Sequence, residues 1–146
     1  MVRQRQNERN GQKHQLDHPS ALIIFTALPI DHSAGTAKGV AFARSALNWT
    51  VDYVKERKAF GQSISNFQNT KFVLAEQRTA IDVAQAYVDQ CILALNDEQL
   101  TAAEAAAAKF WCTELQNKVA DKCLQLFGGY GYMSEYPIAR TYADAR

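Results

Sequence analysis

The sequence predicts an all-α protein, an antiparallel four-helix bundle behind a disordered N-terminal arm. Three observations carry that prediction. Gln62 to Phe127 contains neither glycine nor proline, in a span where an all-β or α/β domain would need turns. Apolar residues recur at helical spacing through most of the chain. The helix breakers gather at a few hinge points, among them Gly61, Gly128, Gly129, Gly131 and Pro137. A chain of 146 residues suits one domain and buries about two thirds of its unfolded surface. The expected division is a polar arm with a short apolar segment, irregular, over 1–28, and the bundle over 29–146.

Met1 to Ser20 is polar and has no helical or strand period. Its Arg3, Arg5, Arg9 and Lys13 are offset by Glu8 and Asp17, so it makes a poor basic tail for nucleic acid. His14 and His18 in this arm lack a Cys or carboxylate framework and read as solvated side chains. Ala21 to Ile30 is a short apolar run, and periodicity does not decide between strand and buried helix.

The first clear helix is predicted from Ser33, a plausible N-cap, to Arg57. One stripe is Val40, Ala43, Leu47, Val51 and Val54. A second is Phe42, Ala46, Trp49 and Tyr53, which places this helix inside the bundle. The second helix is predicted from Asn66 to Leu95, about 45 Å long. Phe67, Leu74, Ile81, Val88 and Leu95 recur every seven residues, with Thr70, Gln77, Ala84 and Cys91 at the companion position. After the polar turn Asn96 to Gln99, Thr101 and Glu104 form a capping box that opens the third helix. Its stripe is Ala108, Cys112, Leu115, Val119, Cys123 and Leu126, and Gly128-Gly129 ends it. Pro137 fits the first position of a fourth helix, with Tyr136 flanking it.

A balance of 16 Lys+Arg against 15 Asp+Glu excludes a broad electrostatic surface for nucleic acid or an anionic membrane. No apolar run reaches the roughly 18 residues needed to span a bilayer. The stretch Ala21 to Ile30 also makes a poor signal segment, because a long polar stretch precedes it and no clear cleavage site follows. The expected location is cytoplasmic. Cys91, Cys112 and Cys123 are odd in number and include no CxxC, so they read as buried small hydrophobes rather than a disulfide or zinc framework.

Two stretches exceed what helix packing needs. Arg57-Lys58-Ala59-Phe60-Gly61-Gln62, followed by Phe67-Gln68, combines a planar guanidinium suited to a diphosphate with aromatic and amide groups suited to a nucleotide or flavin ring. C-terminal capping by cations and a turn glycine is the competing account. Gln125 to Tyr132 places Gly128, Gly129 and Gly131 within four positions, where backbone can approach a ligand. It is not a GxGxxG loop after a strand, and a simple helix-ending turn is the alternative.

Tyr53 to Gly61, Phe67-Gln68, Leu74 to Glu76, Ala108-Lys109, Gln125 to Tyr132, Glu135 to Pro137 and Asp144 to Arg146 together resemble the C-terminal domain of acyl-CoA dehydrogenases. The order and spacing agree across Ala34 to Arg146, and Glu114 to Asn117 resembles the long-chain and related bacterial branch. The resemblance implies a bundle that builds a tetramer with FAD between protomers. It implies that Arg57, Lys58 and Ala59 meet the FAD pyrophosphate, Phe60 packs near the adenosine half and Gln68 contacts the cofactor. Gln125, Leu126, Phe127, Gly128 and Gly129 would line FAD from the neighbouring subunit, with Tyr130 and Gly131 at the edge of the acyl channel. The implied reaction is α,β-dehydrogenation of an acyl-CoA thioester, with electrons leaving to an electron-transferring flavoprotein.

The same resemblance identifies departures. It covers about a third of a full enzyme by domain-size expectations, and Met1 to Ala27 matches nothing in the family. The family's usual glutamate, in a Tyr-Glu-Gly-Thr-like segment, would follow Arg146. The long-chain branch places the base at the start of the first helix, which makes Asp31 the candidate, although capping of the helix explains Asp31 as well. The chain is therefore expected to be a truncated form, inactive alone. It would associate with itself as a dimer or tetramer, or with a chain supplying the remaining domains. An apolar patch is expected where those domains would lie. A helical interaction module without flavin is the alternative.

Overall fold

The computed structural model describes the backbone of residues 19–145 and the side chains of residues 35–145. Its helices are α1 (Pro19–Glu56), α2 (Gln68–Asn96), α3 (Ala102–Phe127) and α4 (Pro137–Asp144). Between α1 and α2 lies a small antiparallel hairpin, β1 (Lys58–Ala59) and β2 (Gln62–Ser63), with Lys58 opposite Ser63 and Ala59 opposite Gln62. Short 3-10 turns follow at Ile64–Asn66 and Gly128–Tyr132. No helix among the described residues is long and apolar enough to cross a membrane.

α1 begins much earlier than the stripe pattern predicts. It opens at Pro19, so Asp31 and Ser33 lie in its interior and neither caps it. The irregular segment expected over 1–28 is thereby corrected for Pro19 to Leu28, which are helical; residues 1–18 lie outside the described residues. The physical reason is that a short apolar run carries no period, while its Ala and Leu content favours helix. Pro19 at the first position has a φ already suited to helix. Pro29 is carried inside α1, at the expense of one ladder hydrogen bond.

The core forms where α1, α2 and α3 meet, with Ile138 of α4 closing one end. α1 makes its largest interface with α3, and small residues allow that approach. A Cβ added at Gly39 would stand 3.3 Å from the Cys112 carbonyl oxygen and 3.2 Å from Gln116 Oε1. Val40, Ala43, Leu47 and Val54 are buried as their stripe predicts, and so is Ala46 of the second stripe. Trp49 departs from that second stripe and is exposed. On α3 the buried stripe advances by four in its last turn, so Phe127 rather than Leu126 enters the core. The three cysteines are free and buried, and burial pushes the Cys112 and Cys123 thiols up to about 11. No cluster suited to a metal ion occurs among the described residues.

α2 carries its companion row inward, with Thr70, Gln77, Ala84 and Cys91 all buried. Gln77 is 1% exposed, and both its Oε1 and its Nε2 lack a hydrogen-bond partner among the described residues.

The capping box on α3 is formed. Glu104 N–H donates to Thr101 Oγ1 at 3.2 Å, and Thr101 N–H donates to Glu104 Oε2 at 2.9 Å. The Thr101 hydroxyl also donates to Oε2, at 2.7 Å. Hydrogen bonds from Thr101 favour the ionised carboxylate and hold Glu104 below its ordinary 4.5. The stabilisation is therefore present above that unfolded value and lost as pH falls through the lower folded one. Thr101→Ala is expected to lower stability by about 1 kcal/mol near neutral pH. That deficit should shrink below pH 4.5, as thermal unfolding across a pH series would record.

Candidate functional site

The first half of the site grows from the C-terminal end of α1. A helix leaves its last carbonyls open, and here Ser63 Oγ lies 2.7 Å from Val54 O and 3.1 Å from Lys55 O, folding the hairpin back onto the helix end. Arg57 is pinned through its backbone at both sides. Its N–H donates to Tyr53 O and its carbonyl accepts from Ile64 N–H, each at 2.9 Å. The hairpin turns at Phe60 (φ 51) and Gly61 (φ 79). Left-handed backbone at both positions is the type I′ arrangement, which matches strand twist but is strained for phenylalanine. Phe60 is left 96% exposed, with an edge contact to the Phe67 ring at 6.3 Å.

The second half follows α3. Gly128 holds φ 60 and ψ −134, backbone that a side chain strongly disfavours. Gly131 is buried, and a Cβ there would stand 2.8 Å from Leu124 O. Gly129 differs from both. Its φ is not positive, and a Cβ there would meet nothing within 4 Å. Neither conformation nor packing among the described residues demands glycine at 129.

An aromatic cluster joins the halves. Tyr53 of α1 stacks on Phe127 of α3 with centroids 4.0 Å apart and planes 13° apart, and its hydroxyl donates to Phe127 O at 3.3 Å. Burial pushes the Tyr53 hydroxyl above its ordinary value, against the pull of Arg57, so it remains a donor at neutral pH. Tyr136 sets its ring edgewise against both, at 5.9 Å from Tyr53 and 5.7 Å from Phe127. Arg57 Cζ stands 5.1 Å over the Tyr130 ring. The result is a cleft of about 430 Å³ lined by Tyr53, Arg57, Phe127, Gly128, Gly129, Tyr130 and Met133. The ion pairs among the described residues are Arg78–Asp82 and Lys118–Glu76, so Arg57 has no acidic partner among them.

Of the residues singled out from sequence, Arg57, Phe127, Gly128, Gly129 and Tyr130 therefore converge on one cleft of one chain. Lys58, Gln68 and Gln125 are exposed, and Ala59 and Leu126 partly exposed, outside its lining. Phe60 projects from the hairpin tip, and Gly131 packs under Leu124. Asp31 lies within α1, and its side chain is outside the described residues. Sequence reading missed Tyr53 as a site residue because it also completes an apolar stripe of α1. Met133 carried no signal. A second, apolar groove of about 510 Å³ lies between α2 and α3, lined by Val83, Tyr87, Ala107, Phe110 and Trp111.

Residues 31–146 match a family model described as the C-terminal domain of acyl-CoA dehydrogenase. The chain is 52% identical over 97 residues to the long-chain specific acyl-CoA dehydrogenase, mitochondrial, of Sus scrofa, covering 66% of this chain and 23% of that enzyme. A crystal structure of acyl-CoA dehydrogenase from Geobacillus kaustophilus superposes with a TM-score of 0.79 at 38% identity, covering 81% of this chain and 31% of that one. Butyryl-CoA dehydrogenase from Megasphaera elsdenii gives 0.82 at 31% identity, covering 86% of this chain and 33% of that one. The chain thus spans about a quarter to a third of the length of these proteins.

Proposed function

The chain belongs to the acyl-CoA dehydrogenase family through that family's C-terminal domain, and from this premise we propose that its cleft holds the pyrophosphate of FAD. The observation that carries the reading is Arg57, a cation without an acidic partner among the described residues, facing a turn whose Gly129 is required neither by a positive φ nor by packing among those residues. A diphosphate needs both features: a guanidinium with free donors and backbone that a side chain does not screen. Open space at the Cβ position of Gly129, in the same cleft as Arg57, supports that reading. Phe60, held exposed on a strained turn, suits packing against a ring system brought by another protomer or chain. Lys58, Ala59, Gln68, Gln125 and Leu126 are proposed to complete the cofactor contacts.

When bound, FAD supplies an acceptor for the hydride leaving the β-carbon of an acyl-CoA thioester. The chain's own part is to bind and orient the cofactor and to build the oligomer. Asp31 is proposed as the α-proton base, and full activity of Asp31→Asn in an assembled enzyme would overturn that role. An electron-transferring flavoprotein is the proposed electron acceptor.

The purified chain, alone or with a chain carrying the rest of the family's fold, is expected to retain flavin absorbance with added FAD. Arg57→Ala should weaken FAD binding about 10- to 100-fold, the loss of a charge-assisted contact. Gly129→Ala should block binding while changing stability by less than about 0.5 kcal/mol. A preparation that stays colourless in both settings, or one whose binding ignores Arg57→Ala, overturns the proposal.

A further inference from the structure

We propose that Tyr130 is a positioning residue for Arg57: its ring seats the guanidinium and holds it at the cleft with its N–H donors unspent on any described residue. The seat is a property of this chain alone, and its use rests on the reading of the cleft as a diphosphate site.

The problem that such a seat solves is specific. Arg57 follows the end of α1, is exposed, and carries a long side chain with large rotamer freedom. A carboxylate could fix it, but a carboxylate occupies the fork that a phosphate would use and neutralises the charge that attracts it. The two ion pairs among the described residues leave Arg57 out, although Glu56 is its neighbour in sequence. An aromatic ring attracts the cation through its π-face and accepts none of its N–H donors in the plane. The Tyr130 ring, 5.1 Å from Cζ, meets that requirement.

The ring is itself held. Tyr130 packs on Tyr136 with centroids 5.5 Å apart, inclined by 56°. Its carbonyl accepts from Met133 N–H at 3.2 Å, and Met133 O accepts from Tyr136 N–H at 3.0 Å. Tyr136 caps α4, whose Ile138 is fully buried in the core. The position of the guanidinium is therefore referred, ring by ring, to the rigid interior. The resemblance drawn from sequence would put Tyr130 at the edge of an acyl channel, and its contact with the cation is a role beyond that one.

The test uses the full chain with Tyr130→Leu, Tyr130→Phe and Arg57→Ala. In the ligand-free wild type, nuclear Overhauser effects should link the Arg57 side-chain protons to the Tyr130 ring, and those protons should be shifted upfield by it. Tyr130→Leu should abolish the upfield shift and weaken FAD binding about two- to fivefold. Tyr130→Phe, which keeps the ring, should restore both. Absence of the Overhauser contacts in the wild type overturns the seat without recourse to any variant. An Arg57 shift unchanged in Tyr130→Leu, or a Tyr130→Phe that behaves like leucine, also overturns it. FAD binding that ignores Arg57→Ala, beside an intact shift pattern, supports the seat and overturns only the reading of the cleft.

Discussion

Gly131→Ala is expected to destabilise the bundle by about 1–3 kcal/mol, with a fall in Tm of roughly 3–10 °C. The added Cβ would stand 2.8 Å from Leu124 O and 3.0 Å from Leu124 Cγ. Real Cβ atoms do not approach backbone oxygen so closely, and the oxygen belongs to the last turn of α3, which cannot swing aside as a flexible side chain would. Relief requires the 3-10 turn Gly128–Tyr132 to lift from the helix, taking Tyr130 away from Arg57. Differential scanning calorimetry of Gly131→Ala beside Gly129→Ala gives the decisive contrast. Two glycines two positions apart should differ by the whole of that penalty, because only one is packed against backbone. Equal Tm values would mean that the turn is not seated on α3 as described.

Gln77→Met should act in the opposite direction, raising stability by about 1–3 kcal/mol. Gln77 sits on the buried row of α2 with its amide inaccessible to bulk solvent and without a hydrogen-bond partner among the described residues. Burying donors and an acceptor without a protein partner costs their hydration without a compensating bond. Methionine keeps the unbranched length and the flexible reach of glutamine, so the space stays filled while the polar atoms disappear. The urea midpoint should rise with an unchanged slope. A fall of 1 kcal/mol or more would mean that the amide has a partner in solution, such as a buried water.

The sequence announced those elements whose signals are local. Thr101 and Glu104, Gly128 and Pro137 each mark a helix end within a few residues, because caps and breakers act through neighbouring backbone. The buried row of α2, Gln77 included, was legible as a repeat of seven. The start of α1 was not, since an apolar run of ten residues around Pro29 has no period to read. In α3 a shift from a step of three to a step of four exchanged Leu126 for Phe127 in the core, which a stripe pattern does not resolve. As for the site, Arg57 and the glycine run stood out by residue type. Their meeting did not, because Tyr53 and Phe127 are 74 positions apart and no periodicity encodes a contact across that distance. The same separation hid Tyr53, whose ring satisfies an ordinary apolar stripe until its hydroxyl is seen on the Phe127 carbonyl.

The parallel stack of Tyr53 on Phe127 also makes the folded chain optically distinctive. Two rings fixed 4.0 Å apart and flanked by Tyr136 form a rigid chiral array, whose near-ultraviolet ellipticity exists only once α1 and α3 have docked. Helical far-ultraviolet signal can survive the loss of that docking. A state that keeps the helices and loses the aromatic signal would therefore be one in which Arg57 and Tyr130 have already parted, giving a spectroscopic clock for the assembly and disassembly of the cleft.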